Sequence, residues 1–319
     1  MTSAKVTSRV AGIPDKVVRR KWLAGYGLLA PALGVMALML ALPLATLVVL
    51  SFWTQTGFQL DRSFTLENYR LLVAPSDKLT QWGWLRVYLE YPVPAILLIK
   101  SLLMSLVATI AVIALAYPMA YFIAFRVHRN KALWIIAITI PFWTSYLLRV
   151  FSWKVILGYN GAINSGLMAM GVIDAPLEFL LYNPTAVVIT LAHSWVAFAV
   201  LPIYVSLEKI DRSLFEAATD LGDNRWKRFW RITLPLSAPG TIAAALLVFI
   251  PTVGDYVTPT LVGGPEGTMI GSLVQRLFFR ESNAPLGAAV SLSMMLVIAV
   301  LVLVFLWAIG YRKMRARRA

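Results

Sequence analysis

Residues able to do chemistry are few in this 319-residue chain. It has no cysteine, which excludes a thiol nucleophile, a disulfide and a thiolate metal site. Its two histidines, His128 and His193, are too few and too far apart in sequence for a metal site. No GxxxxGK[ST] run is present, so the chain carries no phosphate loop of its own. What stands out is Asp255, the acidic residue set well inside a long apolar stretch and bracketed by Pro251, Gly254 and Pro259. A carboxylate in such a place is costly and faces a cavity or a partner. Beside Tyr256 it suits an organic ammonium group, through charge pairing and cation–π contact, and Trp143, Tyr146 and Trp153 offer further aromatic surface. A second use competes. Arg149 lies about 16 residues into its apolar stretch and Asp255 about 19 into another, so at 1.5 Å per residue both reach a similar depth of about 25–30 Å. Arg149 and Asp255 then neutralise one another as a structural ion pair. Arg149 and Lys154 also suit a path for an anionic solute.

These groups must be positioned by apolar elements. The chain is 59% hydrophobic and only 14% charged, against about 25% charged in an ordinary soluble domain. The charges cluster, leaving uncharged runs of 39 residues after Lys21, 25 after Lys100, 29 after Glu178, 23 after Arg231 and 30 after Glu281. A bilayer core needs about 20 apolar residues per helix. The composition excludes a soluble enzyme, a disordered chain and a collagen-like fibre, and indicates an all-α, polytopic membrane protein. Six transmembrane helices are expected, near 24–52, 95–125, 133–157, 185–207, 236–261 and 286–311, with Arg149 and Lys154 interrupting the third. The run after Lys21 is about twice the length of a signal-peptide core, so it reads as a retained span. Residues 158–173 are apolar but broken by Gly and Asn, which suits a re-entrant or interfacial helix.

The net charge of +14 is explained by its placement. Twenty of the 29 Lys and Arg fall in the basic N-terminus (1–23), the 126–131 turn, the 208–235 loop and the tail (312–319). The long 53–94 loop holds four, the 262–285 loop two and the 158–184 loop none, and Lys100, Arg149 and Lys154 fall within expected spans. By the positive-inside rule both termini are cytoplasmic and the 53–94 loop is extracytoplasmic. Trp53, Tyr91 and Trp153 then mark one interface, and Trp22, Trp134 and Trp307 the other. The basic excess attracts anionic lipid and does not call for nucleic acid. His193, near the middle of span four, reads as a hydrogen-bonded packing residue.

The segment 211–235, DRSLFEAATDLGDNRWKRFWRITLP, predicts a short helix, a glycine turn and a second helix. Ser213 and Glu216 have capping-box spacing, Gly222 supplies a left-handed stop, and Asp223 is placed to cap the second arm. Pro235 stands where the next span begins. The second arm is amphipathic and basic, which also suits an interfacial helix on lipid headgroups.

Glu216, Ala217, Ala218, Gly222, Ile232, Leu234 and Pro235 reproduce the EAA-x3-G-x9-I-x-LP signature. By it the chain resembles the permease subunits of bacterial ABC importers. FTLENYRLL at 64–72, PFWTSYLLRVFSWKVILGYNGAIN at 141–164 and GDYVTPTLVGG at 254–264 are similar to the spermidine/putrescine branch, and to the first of its two permease subunits. The resemblance implies a type I importer permease fold in the bacterial inner membrane. It also implies that Glu216, Ala217, Ala218 and Gly222 form the contact with a cytoplasmic ATPase. It implies a heterodimer with a sister permease, an ATPase dimer that supplies the ATP site, and an extracytoplasmic substrate-binding protein. The cargo it implies is a polyamine; the alternatives are a related ABC importer for another small solute, including an anionic one, and, behind it, a stand-alone secondary transporter. The chain itself is then no enzyme and holds no cofactor.

Overall fold

The computed structural model describes residues 15–57, 59–74, 80–82, 85–89 and 92–316, with side chains outside 15–28, 80–91 and 310–316. The basic N-terminal residues 1–14, Trp84, Tyr91 and the last three residues of the tail lie outside the described residues.

Four of the expected spans are long, apolar helices: α1 (Asp15–Ser51), α3 (Val93–Phe125), α7 (Pro184–Glu208) and α11 (Ala284–Ala316). A fifth helix, α9 (Arg225–Val253), begins about eleven residues before the expected span and stops about eight short of its end. Its early start is continuous with the cytoplasmic arm expected as a separate helix. Pro235 has no N–H to donate, and the chain accommodates this with a π turn over Phe229–Thr233, where Leu234 N–H reaches back five residues to Phe229 O. The early stop falls at Gly254, after Pro251.

The third expected span is broken. α4 (Lys131–Thr139) runs through a 3₁₀ turn at Ile140–Trp143, the chain extends at Thr144 and Ser145, and α5 (Tyr146–Leu157) restarts at a steep angle. The two halves, Lys131–Trp143 and Tyr146–Ala169, are bent by 83°. Pro141 removes a helical donor, and two extended residues then re-aim the chain. Among the described residues five helices are therefore long and apolar enough to cross a bilayer, and the bent pair makes a sixth crossing if its halves count as one. Within 158–173 lies a two-turn helix, α6 (Ala162–Ala169), rather than another long span, and a ten-residue helix, α10 (Ile270–Phe279), precedes α11.

The 53–94 segment departs from the all-α expectation. It holds two antiparallel hairpins, β1 (Thr54–Thr56) with β2 (Gln59–Asp61) and β3 (Thr80–Trp82) with β4 (Leu85–Leu89), and a short helix, α2 (Glu67–Val73). Gly57, with φ of +61°, supplies the left-handed turn between β1 and β2. α2 is clipped to the end of α1: buried Asn68 donates to the carbonyls of Ser51 (2.8 Å) and Trp53 (2.7 Å), and Tyr69 Oη meets Ser51 Oγ at 2.8 Å. Gln55 accepts from Ala284 N–H (3.1 Å), which ties this cap to α11.

The core lies where α3, α7 and α9 meet. Ala116, Ala120, Ala124, Ala199 and Ala244 are buried there beside Val112, Val200 and Ile203. In lipid the apolar effect does not drive helices together, so small residues that permit close backbone approach do the packing. Gly240 shows how close: a Cβ there would stand 2.4 Å from Pro202 O and 2.3 Å from Ser206 Oγ. Gly240→Leu is expected to destabilise the α7–α9 contact by roughly 1–3 kcal/mol, read as a lower unfolding midpoint of the solubilised protein.

Candidate functional site

Two sites lie at opposite ends of α9. At its N-terminal end is α8 (Arg212–Asp220), the short helix of the 211–235 segment. Asp211, not Ser213, caps it, accepting from Ser213 N–H at 3.0 Å, and this bond holds the Asp211 carboxyl below the usual carboxylate range. Asp is as good a cap as Ser and stands at the extended residue where the chain leaves α7. Glu216 is therefore free of the capping box and points outward, exposed. α8 ends as expected. Gly222 has φ of +83°, and the N–H groups of Gly222 and Asp223 close on the carbonyls of Thr219 and Ala218 at 2.9 Å each.

α9 is capped by Asn224, which accepts from Lys227 N–H at 2.9 Å. Asp223, expected as that cap, instead pairs with Arg231 at 3.1 Å, two turns further along. Arg228 donates to Thr219 Oγ1 (2.6 Å), and Phe215 meets Phe125 edge-on at 5.4 Å. α8 is thus fixed to both the end of α3 and the start of α9. The signature residues divide by face. Ala218 is buried against the protein's own chain, so its small size serves the seating of α8, whereas Glu216 and Ala217 face out.

At the C-terminal end of α9 the helix breaks, and Asp255 sits in the break, 8% exposed. Arg149 and Asp255 do not form the expected ion pair. Asp255 Oδ1 accepts from Val257 N–H (2.9 Å) and Thr258 N–H (3.5 Å), and Oδ2 accepts from the hydroxyls of Tyr146 and Thr258, each at 2.5 Å. The carboxylate caps the turn that leads into the π segment Pro259–Gly263 and ties it to α5. The signal was in the sequence: Asp255 three residues before Thr258, just after a helix-ending Gly, has cap spacing.

Arg149 turns the other way. It donates to Ser194 O at 3.0 Å, and its guanidinium lies 4.7 Å from the ring centre of Phe142 and 5.7 Å from that of Tyr146. Of the aromatic residues expected around a cation, Trp143 is 80% exposed, Tyr256 is exposed, and Trp153 is half-buried with its ring 5.2 Å from that of His193. His193 is itself exposed and makes no hydrogen bond among the described residues, so the hydrogen-bonded core role is replaced by aromatic contact. Tyr146 is drawn into the Asp255 corner. Arg149 and Trp153 of the broken span and His193 of α7 thus gather with Phe142 into one part-exposed aromatic and basic cluster, and Trp143 is exposed on the same broken span.

A multi-pass apolar bundle whose structured loop is a short helix hung from a span by a glycine turn has the build of a membrane permease. Residues 17–318 match the family described as binding-protein-dependent transport system inner membrane component, and the chain belongs to that family. It is 35% identical over 273 residues to the spermidine/putrescine transport system permease protein PotB of Escherichia coli, covering 85% of this chain and 93% of that one. It is 34% identical over 266 residues to PotB of Haemophilus influenzae, covering 83% and 86%. To the inner membrane ABC transporter permease protein YdcU of Escherichia coli it is 30% identical over 281 residues, covering 84% and 88%. The fold is shared with a chain of the bacterial alginate ABC transporter solved with a pentasaccharide-bound periplasmic protein, at a TM-score of 0.62 and 18% identity over 90% of this chain and 94% of that one. The chain is an ABC importer permease subunit of the inner membrane.

Proposed function

We propose that this permease moves polyamines of the spermidine/putrescine class into the cytoplasm, as one half of a heterodimer with a sister permease. The observation that carries the cargo is the 35% identity to a spermidine/putrescine permease over 85% of the chain. Exposed aromatic rings at Trp143 and Tyr256 suit ammonium groups. Both termini are cytoplasmic, α8 faces an ATPase dimer that binds and hydrolyses ATP, and the hairpin-bearing 53–94 segment faces an extracytoplasmic binding protein. Glu216, Ala217 and the Gly222 turn are the ATPase contact, with Ala218 seating the helix from behind.

The path of coupling follows from α9. Closure of the ATPase dimer pushes α8, and α8 is joined through Gly222 to a 29-residue helix about 43 Å long at 1.5 Å per residue. That helix ends at the Asp255 corner, which is bonded to Tyr146 of the broken span. A tilt imposed at α8 is therefore delivered to the segment carrying Trp143 and Arg149. Alternating access needs two arrangements of such a contact, and the break at Pro141 in the third span and the break at Gly254 after α9 supply a hinge on each side of it.

A second reading is favoured by one observation: Arg149, half-buried over Phe142 and Tyr146, has no acid partner among the described residues, while Asp255's oxygens are taken up by its own chain. That charge pattern suits an anionic cargo. Uptake of labelled spermidine into proteoliposomes holding the whole transporter and its receptor separates the two. ATP-dependent spermidine uptake is the expected result. A receptor that binds anions and ignores polyamines would overturn the cargo and leave the permease assignment intact.

A further inference from the structure

A cavity of about 300 Å³ opens between the end of α3, α8 and the start of α9. Its walls are aromatic and fixed against each other: Tyr121 lies 4.9 Å from Phe125, Phe125 lies 5.4 Å from Phe215, and Tyr121 lies 6.4 Å from Phe229. Its rim is basic, formed by Arg126, Arg225 and Arg228, and among the described residues no acidic side chain lines it. Of the acids elsewhere on this side, Asp223 pairs with Arg231, Glu208 with Lys131 at 2.8 Å and Asp211 caps the start of α8, while Glu216 and Asp220 are exposed on α8 and do not line the cavity. Among the described residues none of the three arginines forms an ion pair with an acid. Arg228 spends one N–H on Thr219 and keeps others for a ligand.

Three uncompensated guanidinium groups around one concavity call for a phosphate, whose oxygens match their planar forks. The surrounding tryptophans say where that phosphate comes from. Trp226 and Trp230, on the same turns of α9 as Arg225 and Arg228, are 73% and 62% exposed, and exposed Trp134 lies edge-on to Phe122 near the end of α3. Clustered exposed tryptophans at the end of apolar spans sit at headgroup level. We propose that Arg126, Arg225 and Arg228 bind the phosphate headgroup of an anionic phospholipid, which wedges between α3 and the α8–α9 elbow. The lipid then stiffens the joint through which α8 moves α9, independently of which solute is carried.

The test uses the whole transporter in nanodiscs of phosphatidylcholine doped with phosphatidylglycerol, with bound lipid counted by native mass spectrometry. R126Q/R225Q/R228Q is expected to retain at least about tenfold less phosphatidylglycerol than the unaltered protein. R129Q/K209Q/K227Q removes the same charge from exposed positions on the same side that do not line the cavity, and is expected to retain it. Equal loss in both variants, or no loss in the first, overturns the site. Displacement of the lipid by millimolar inorganic phosphate or glycerol 3-phosphate overturns the lipid as its occupant. If the triple variant does not assemble, R225Q alone, at an exposed position, is expected to lower retention a few-fold, and full retention there overturns the proposal.

Discussion

Asp255→Ala is expected to abolish uptake by preventing the permease from holding its shape, and not by removing a contact to cargo. The carboxylate accepts from two backbone N–H groups and two hydroxyls in a buried corner. Alanine leaves those donors without an acceptor, and each buried unsatisfied group costs about 1–3 kcal/mol. Taken together as a charged network the loss is on the order of 3–5 kcal/mol, a large share of the 5–15 kcal/mol that holds a typical domain. The expected readings are a sharply lower yield of assembled transporter from membranes and a lower unfolding midpoint. Asp255→Asn keeps one acceptor oxygen and nearly the same volume, and rotation of the Tyr146 and Thr258 hydroxyls accommodates the new N–H₂. It is expected to assemble with a modest fall in midpoint and an unchanged affinity for solute. Tyr146→Phe, which removes one donor and leaves the carboxylate three, is expected to cost about 0.5–1.5 kcal/mol. A well-assembled Asp255→Asn transporter with a selective loss of solute affinity would sink the structural role and restore the direct contact.

The sequence made most of the scaffold legible because uncharged runs in a bilayer admit few alternatives to helix. α1, α3, α7 and α11 fall where those runs lie, and Gly222 carries the positive φ that the signature's spacing demanded. What was harder to read depends on tertiary choice. Pro141 in the sequence is compatible with a kinked span, and only the extended Thr144 and Ser145 turn the kink into an 83° break. Pro235 looks like the start of a span, yet a π turn absorbs its missing donor and lets α9 begin at Arg225. Asp255 and Arg149 have equal depth by counting residues, but depth does not fix azimuth. The two side chains leave their helices in different directions, one into a cap and the other over Phe142. The same limit explains Ala218: one helix position beside Ala217 is about 100° around the axis, enough to move it from the outer face to the protein's own core. The hairpins of the 53–94 segment are too short for a periodicity signal, and Gly57 was their clearest mark.

Glu216→Ala is expected to leave folding untouched and to cut uptake by at least about tenfold. Everything that seats α8 uses other residues: the Asp211 cap, the Phe215–Phe125 contact, the Thr219–Arg228 bond and the Gly222 turn. Glu216 is exposed and forms no ion pair among the described residues, so truncation is expected to change stability by no more than about 0.5 kcal/mol. An exposed carboxylate that the fold does not use acquires its value only against a partner. If it enters a basic pocket on the ATPase, truncation leaves a desolvated cation there unpaired, at a cost of about 2–5 kcal/mol, which corresponds to a loss of about 30-fold or more in ATPase affinity. Co-purification of the ATPase with the permease, measured beside the unfolding midpoint of the permease alone, separates the two quantities. Asp211→Ala is the contrasting variant, since it removes a cap and is expected to loosen α8 by about 1 kcal/mol while keeping the outward carboxylate. A Glu216→Ala transporter with full ATPase retention and full uptake would make α8 a strut on the protein's own body rather than a lever. Loss of the ATPase with an unchanged midpoint can come only from a residue whose work is done outside the subunit.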